Sequence, residues 1–280
     1  MTNIDSARVF VGLKPPEAVC QLIIRYQKYL QETLVNELPS IHLIEGRQPN
    51  FVRWTAEDSL HLTLQFIGSV SRQALDSFRW KFRERACQIE PFKVSLGSLG
   101  YLPKNRRNMR VVYLGVQDPQ KNLDSLASII RSSVLEQLGL VGDSTVVAVS
   151  DSSSSAVSHS GVNQSQGLIH GLDKLTAFSE REGQNTAFYE NFHKLKESYP
   201  FLKETNSPFL PHITLGRLEK NAKLEERDSL ASVISKTSLL NGSFSCSSDN
   251  IEWVVKSFIF YESVQEDGRS RYKILEEFHF

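Results

Sequence analysis

The sequence predicts an α+β protein of two pseudo-symmetric lobes. Three observations carry that expectation. Short apolar runs of strand length alternate with longer segments that carry one apolar stripe. A tetrapeptide, His61-Leu62-Thr63-Leu64, returns as His212-Ile213-Thr214-Leu215, once in each half of the chain. The composition, 40% hydrophobic and 23% charged over 280 residues with net charge zero, suits one large domain or two lobes around a real core.

Residues 7–13 read as a buried strand. Pro15-Pro16 then opens a helix, where proline is tolerated in the first turn. Its apolar stripe is Val19, Leu22, Ile23, Tyr26, Leu30, Leu34 and Leu38. Strands follow near 51–55 and 60–67, and Ser71 is the expected N-cap of a second helix whose inner face is Leu75, Phe78 and Phe82. Strands near 92–99 and 110–116 flank a loop with Pro103. A third helix, about 121–138, carries Leu123, Leu126, Ile130, Val134 and Leu138 and stops near Gly139. Beyond the second motif come a helix near 222–236 and strands near 250–261 and 271–280.

The segment between the halves differs in kind. Residues 150–165 contain eight serines, too little apolar surface to offset the entropy of ordering them. Residues 172–202 regain aromatic and leucine positions such as Phe178, Phe188, Phe192 and Leu195, and read as one or two helices.

The repeated tetrapeptide holds the chemistry. Side chains alternate across a strand, so in each copy the imidazole and the hydroxyl share one face and the apolar residues share the other. A single H-x-T-x arises easily by chance and one strand histidine is more often structural; two copies in matching hydrophobic surroundings are another matter. Facing each other, His61 with Thr63 and His212 with Thr214 would form a symmetric acid/base site. Neither copy has a third Cys, Asp or Glu beside it, so no metal and no cofactor is expected. Arg217 follows His212 by five residues, as Phe66 follows His61. Strict alternation puts Arg217 on the wrong face, so a strand end or bulge must re-aim it. The same alternation assigns Phe66 to the core, and Phe10 is read as core as well. Lys104, Arg106, Arg107 and Arg110 put four positive charges into one loop, which either faces solvent or lies along a nucleic-acid backbone. The remaining histidines, His42, His159, His170, His193 and His279, lack partners at useful spacing.

The two motifs, with Arg8-Val9-Phe10-Val11-Gly12-Leu13, Val52-Arg53-Trp54, Val111 to Val116, Pro208 to Pro211 and the closing Phe258 to Ser263 and Tyr272 to Leu275, resemble the 2H phosphoesterase superfamily. The branch they resemble is the RNA 2′,3′-cyclic phosphodiesterases, also named 2′-5′ RNA ligases, over roughly 7–140 and 207–280. The resemblance implies that the motifs meet in a cleft between antiparallel sheets. It implies that His61 is the general acid toward the ribose 3′-oxygen, that His212 activates water, and that Arg217 takes part in substrate binding, a surface arginine being the other reading. Thr63 and Thr214 would donate hydroxyl hydrogen bonds to the phosphate's non-bridging oxygens. The expected reaction is metal-independent opening of a 2′,3′-cyclic phosphate on RNA or a nucleotide to a 2′-phosphate, with a weak, reversible 2′-5′ joining activity in which a 5′-hydroxyl replaces water. The residues alone leave the acid and base interchangeable. In the family pattern the third helix runs almost directly into the second motif, so 142–206 reads as an insertion in a single domain over 1–280.

Two alternatives stay open: a phosphodiesterase for other nucleotides such as 2′,5′-linked oligonucleotides, and a nucleotide-binding scaffold that recruits a protein partner through the 142–206 insertion. Zero net charge excludes a general polyanion binder. Cys20, Cys87 and Cys246 are widely spaced and odd in number, which fits a reducing cytoplasm. The N-terminus shows neither a signal peptide nor a membrane span, so a cytoplasmic monomer without membrane contact is expected.

Overall fold

The computed structural model describes residues 5–38, 51–139, 208–239, 251–266 and 269–280. β1 (Ser6–Leu13) leads into α1 (Glu17–Glu37), and β2 (Val52–Trp54) and β3 (Leu62–Ser71) precede α2 (Leu75–Ala86). β4 (Phe92–Leu102) and β5 (Val111–Gln117) precede α3 (Asn122–Gln137). Beyond residue 207 come β6 (His212–Leu218), α4 (Leu224–Leu239), β7 (Glu252–Val255), β8 (Ser257–Glu266) and β9 (Arg269–His279). The expected 142–206 insertion, with its serine-rich and helical parts, lies outside the described residues.

The strands form one antiparallel sheet in the order β7-β4-β5-β6-β3-β1-β8-β9, with β2 paired to β6. The two halves of this sheet meet at a single pairing, Leu62 opposite Ile213, which are the second residues of the two motifs. The sheet has to curl. β7 and β8 stand six steps apart in its order, about 29 Å in a flat sheet at ~4.8 Å per step. Yet Val255 and Ser257 are separated by Lys256 alone, a span of at most about 7 Å.

Helices cross between the halves. α1 packs on α4, which covers β4, while α2 packs on α3 and they cover β9 and β3. α1 with α4 and α2 with α3 thus form two separate helix pairs against the sheet. The aromatic part of the core is built where α2 meets the closing hairpin, with Phe78 and Phe82 against Phe258, Phe260 and Phe278. α3 ends as its sequence predicts. Gly139 takes a left-handed φ of 70° and its N–H donates to the carbonyl of Glu136.

Three expectations are corrected. Ser71 is the last residue of β3 and makes no side-chain cap; a single 3₁₀ turn, Arg72–Ala74, separates it from α2. The apolar run expected as one strand near 250–261 is two strands on opposite parts of the sheet, β7 on β4 and β8 on β1. In α1, Leu22 and Tyr26 are only half-buried, whereas the polar Gln27 is buried.

Candidate active site

The Leu62–Ile213 pairing fixes the site. Continued one residue each way, that antiparallel register sets His61 opposite Thr214 and Thr63 opposite His212. All four side chains are half-buried, while Leu62, Leu64, Ile213 and Leu215 are buried on the reverse face. The pseudo-twofold relation between the halves therefore runs through the centre of the repeated tetrapeptide.

The two imidazoles are held alike. Nδ1 of His61 lies 2.8 Å from the carbonyl oxygen of Ser59, and Nδ1 of His212 lies 2.7 Å from that of Leu210. A carbonyl only accepts, so each Nδ1 carries the hydrogen and donates it. Nε2 of each ring is then the free, proton-exchanging nitrogen. Burial pushes His61 down from 6.5 to about 4, against the pull of its Ser59 hydrogen bond, and the positive charges of Arg217 and His212 act in the same direction as burial. His212 is lowered too, first by burial and then by Arg217, against its bond to Leu210. In the free protein both rings are neutral near pH 7.

Arg217 reaches the site through a bulge. On β6, Thr214 pairs with Tyr113 and Gly216 with Val112, so Leu215 is one residue too many for β5. The alternation reverses there: Ile213 and Leu215 are buried before it, Leu218 after it. Arg217 therefore shares the face of His212 and Thr214, and it is exposed.

The first half repeats the device. Thr63 pairs with Gly12 and Gln65 with Val11, leaving Leu64 as the extra residue on β3. Phe66 is thereby turned out of the core. It is 51% exposed, with its ring 5.6 Å from Phe10. The core assignment of Phe66 by simple alternation is wrong for this reason. Phe10 is buried, but in a small cluster with Ile259 and Tyr261 apart from the main core. It packs 4.9 Å from the His61 ring.

Aromatic support of the histidines is the feature that the sequence reading missed. Tyr272 meets His61 edge-on at 4.8 Å, and Tyr113 meets His212 edge-on at 5.2 Å. A signal was present, since Phe10-Val11-Gly12 and Tyr113-Leu114-Gly115 repeat an aromatic-x-glycine pattern on the strands beside the motifs. Gly12 is required there, because a Cβ would stand 2.7 Å from the carbonyl oxygen of Leu62. Gln27 is the second missed residue. From α1 its side-chain amide donates to the carbonyls of Thr55 at 2.9 Å and of the bulge residue Leu215 at 2.8 Å.

The basic loop is exposed, and Arg106 lies 3.6 Å from Asp228. His279 is exposed at the end of the closing strand, while His42, His159, His170 and His193 lie outside the described residues. Among the described residues no three or more His, Cys, Asp or Glu side chains gather as a metal site, and no helix is long and apolar enough to cross a membrane.

Comparison with known proteins agrees with this frame. Residues 42–113, which hold the first motif, match the family model described as LigT like Phosphoesterase. A curated RNA 2′,3′-cyclic phosphodiesterase of Methanothermobacter thermautotrophicus is 35% identical over 78 residues, covering 28% of this chain and 42% of the relative. The match thus spans less than half of that relative's length. A solved structure from Thermus thermophilus overlays on 97% of each chain with a TM-score of 0.54 at 18% identity, which shows a shared fold. E. coli LigT complexed with 3′-AMP overlays on 98% of each chain with a TM-score of 0.49 at 19% identity. The chain is thus similar to LigT-like phosphoesterases over the segment around its first motif, and it shares its fold with the Thermus thermophilus structure.

Proposed function

We propose that the protein hydrolyses 2′,3′-cyclic phosphate ends of RNA or nucleotides to 2′-phosphates, using its two histidines as acid and base and no metal. The observation that carries this reading is the pairing of the two motifs through Leu62 and Ile213, with both Nδ1 atoms tied to carbonyls. Two free Nε2 atoms related by a pseudo-twofold flank one place for a phosphate. In-line displacement at phosphorus needs a proton acceptor on one side and a donor on the other, and this arrangement supplies them.

In the forward step His212 Nε2 takes a proton from water as the water oxygen bonds to phosphorus. The bond from phosphorus to the ribose 3′-oxygen breaks, and His61 Nε2–H gives that oxygen its proton. Each such positioned group contributes about 10²–10⁴-fold. Thr63 and Thr214 donate hydroxyl hydrogen bonds to the non-bridging oxygens, and Arg217 adds a fixed positive charge. The substrate supplies the missing proton affinity: its anionic phosphate raises the pKa of the neighbouring imidazole and so favours the protonated acid. A 5′-hydroxyl in place of water gives the weak 2′-5′ joining reaction by the same steps.

The test is a cyclic-ended oligoribonucleotide incubated with and without excess EDTA, with the product phosphate located by NMR or by phosphatase-coupled chromatography. Equal turnover in both and a 2′-phosphate product are expected. Activity that disappears with chelator and returns with added metal overturns the mechanism, and a 3′-phosphate product reverses the assignment of the leaving oxygen.

A further inference from the structure

β2 is three residues long, and its register on β6 is specific: Val52 opposite Leu218, Arg53 opposite Arg217, Trp54 opposite Gly216. Val52 and Leu218 are both buried, so the next pair along points to the other side, into the face that carries His212 and Thr214. Arg53 and Arg217 therefore stand directly opposed on neighbouring strands, both exposed. Like charges in that position destabilise a ladder. Elsewhere the described surface resolves such charges with carboxylates, as Arg72 does with Glu262 at 2.7 Å and Arg85 with Glu136 at 3.0 Å. Among the described residues the side chains of Arg53 and Arg217 make no hydrogen bond within 3.5 Å and no ion pair within 4.0 Å.

The row also has a useful position. On β5, Tyr113 is opposite Thr214 and Val111 is opposite Arg217, so the arginine row lies two residues, about 7 Å at ~3.4 Å each, from the reacting row. That step is comparable with the separation of neighbouring phosphates on an extended nucleotide chain. Past Val111 the same end of the sheet continues into the exposed loop with Lys104, Arg107 and Arg110.

We propose that Arg53 and Arg217 together bind a second phosphate, the phosphodiester immediately upstream of the cyclic end, so that the site selects oligonucleotide ends over mononucleotides. Arg217 lies between the two phosphates, and Arg53 is the specificity-determining residue for the upstream one. This rests on the cyclic-phosphate reading for its choice of ligand, but its geometry is independent of which bond is cleaved.

The experiment measures binding and turnover separately. A dinucleotide ending in a 2′-phosphate and the matching nucleoside 2′-monophosphate are titrated calorimetrically into the wild-type protein, Arg53→Gln and Arg53→Lys. A second dinucleotide carries an uncharged methylphosphonate linkage. The corresponding cyclic phosphates are used for kcat/KM. Wild type is expected to favour the dinucleotide by at least tenfold. Arg53→Gln should remove most of that ratio, and Arg53→Lys should restore part of it. The methylphosphonate should remove it in the wild type, with no further loss in Arg53→Gln. Equal effects of Arg53→Gln on mono- and dinucleotide, no effect on either, or wild type binding neither, overturns the second-phosphate site. Normal cyclic hydrolysis with no dinucleotide preference overturns this inference alone. The expected binding ratios without hydrolysis of any cyclic end overturn the proposed reaction and leave the second-phosphate site standing.

Discussion

Gln27 links the packing of a helix to the aim of the site, and its replacement gives a measurable consequence. It lies four residues after Ile23 and three before Leu30, both buried, so its side chain enters the interior with the apolar stripe of α1. There its amide donates to Thr55 O and Leu215 O. Leu215 O also accepts from the Thr55 N–H at 2.8 Å, so it stays satisfied if Gln27 is removed, whereas Thr55 O loses a partner. In Gln27→Leu the shape is roughly kept and two hydrogen bonds are lost, for a cost of about 1–3 kcal/mol in stability. The kinetic effect is distinct. Leu215 is the bulge residue that turns Arg217 onto the face of His212 and Thr214, and misplacement of a site group by about 1 Å can cost on the order of 10²-fold in rate. We therefore expect Gln27→Leu to remain folded at 25 °C and to lose about 10–10²-fold in kcat on a cyclic-ended substrate. Leu30→Ala is the comparison. It creates a cavity in the same helix, costing about 2–5 kcal/mol, and should leave kcat nearly unchanged in the folded fraction. Urea unfolding gives the stabilities, and initial rates well below the transition give the kinetics. If Gln27→Leu keeps full kcat, or if Leu30→Ala loses as much, the link between α1 and the bulge is wrong.

Three further outcomes are expected. His61→Ala and His212→Ala should each abolish most turnover with the fold intact by circular dichroism, and the double variant should be little worse than either, because groups that act as a unit are non-additive; full activity in either folded single variant would remove the acid/base roles. Thr63→Val and Thr214→Val should each lower kcat by roughly 10–10³-fold, the range of lost oxyanion donors, and unchanged kinetics in both would mean that the hydroxyls serve the strands. The free-enzyme pH profile follows from one ring held at about 4 and the other below 6.5. One ring must be protonated and one neutral, so kcat/KM should be bell-shaped with its maximum between those values. Bound phosphate raises the acid's pKa, so the basic limb of kcat should lie at higher pH than that of kcat/KM, and coincident limbs would contradict the electrostatics.

Most of the frame was legible because it depends on local periodicity. The buried stripe of α3 and the Gly139 stop were readable as written, and so were the strands of the two motifs. What escaped has a common cause: period-2 reasoning fails where a strand gains a residue. A bulge at Leu64 turns Phe66 out of the core, and no glycine or proline at that position announces it. The break at Lys256 was hidden in the same way. Ile251 to Tyr261 is one run of mostly apolar residues, and only the curl of the whole sheet sends its two parts to different neighbours. Gln27 was hidden by classing it as polar. A glutamine at a core position of a helix must find acceptors, and that question, asked of the sequence, points to it.

The bulges also explain why the tetrapeptide repeats as four letters and not three. The first and third residues supply imidazole and hydroxyl, and the second supplies the pairing between halves. The fourth, Leu64 or Leu215, is the extra residue that reverses the alternation in each strand. Duplication therefore carries a device along with the histidines, and the fifth position after each of them is turned out of the core. What the device delivers has diverged: an aromatic ring at Phe66 and a cation at Arg217. A symmetric pair of acid/base groups cannot by itself tell the two ends of a substrate apart. Beside His61 stand Phe10, Phe66 and Tyr272, and beside His212 stand Arg217 and, across β2, Arg53. An aromatic wall on one side and opposed cations on the other break the symmetry of two imidazoles that are tethered in the same way, and under the proposed reaction that asymmetry would set which end of a substrate lies at each histidine.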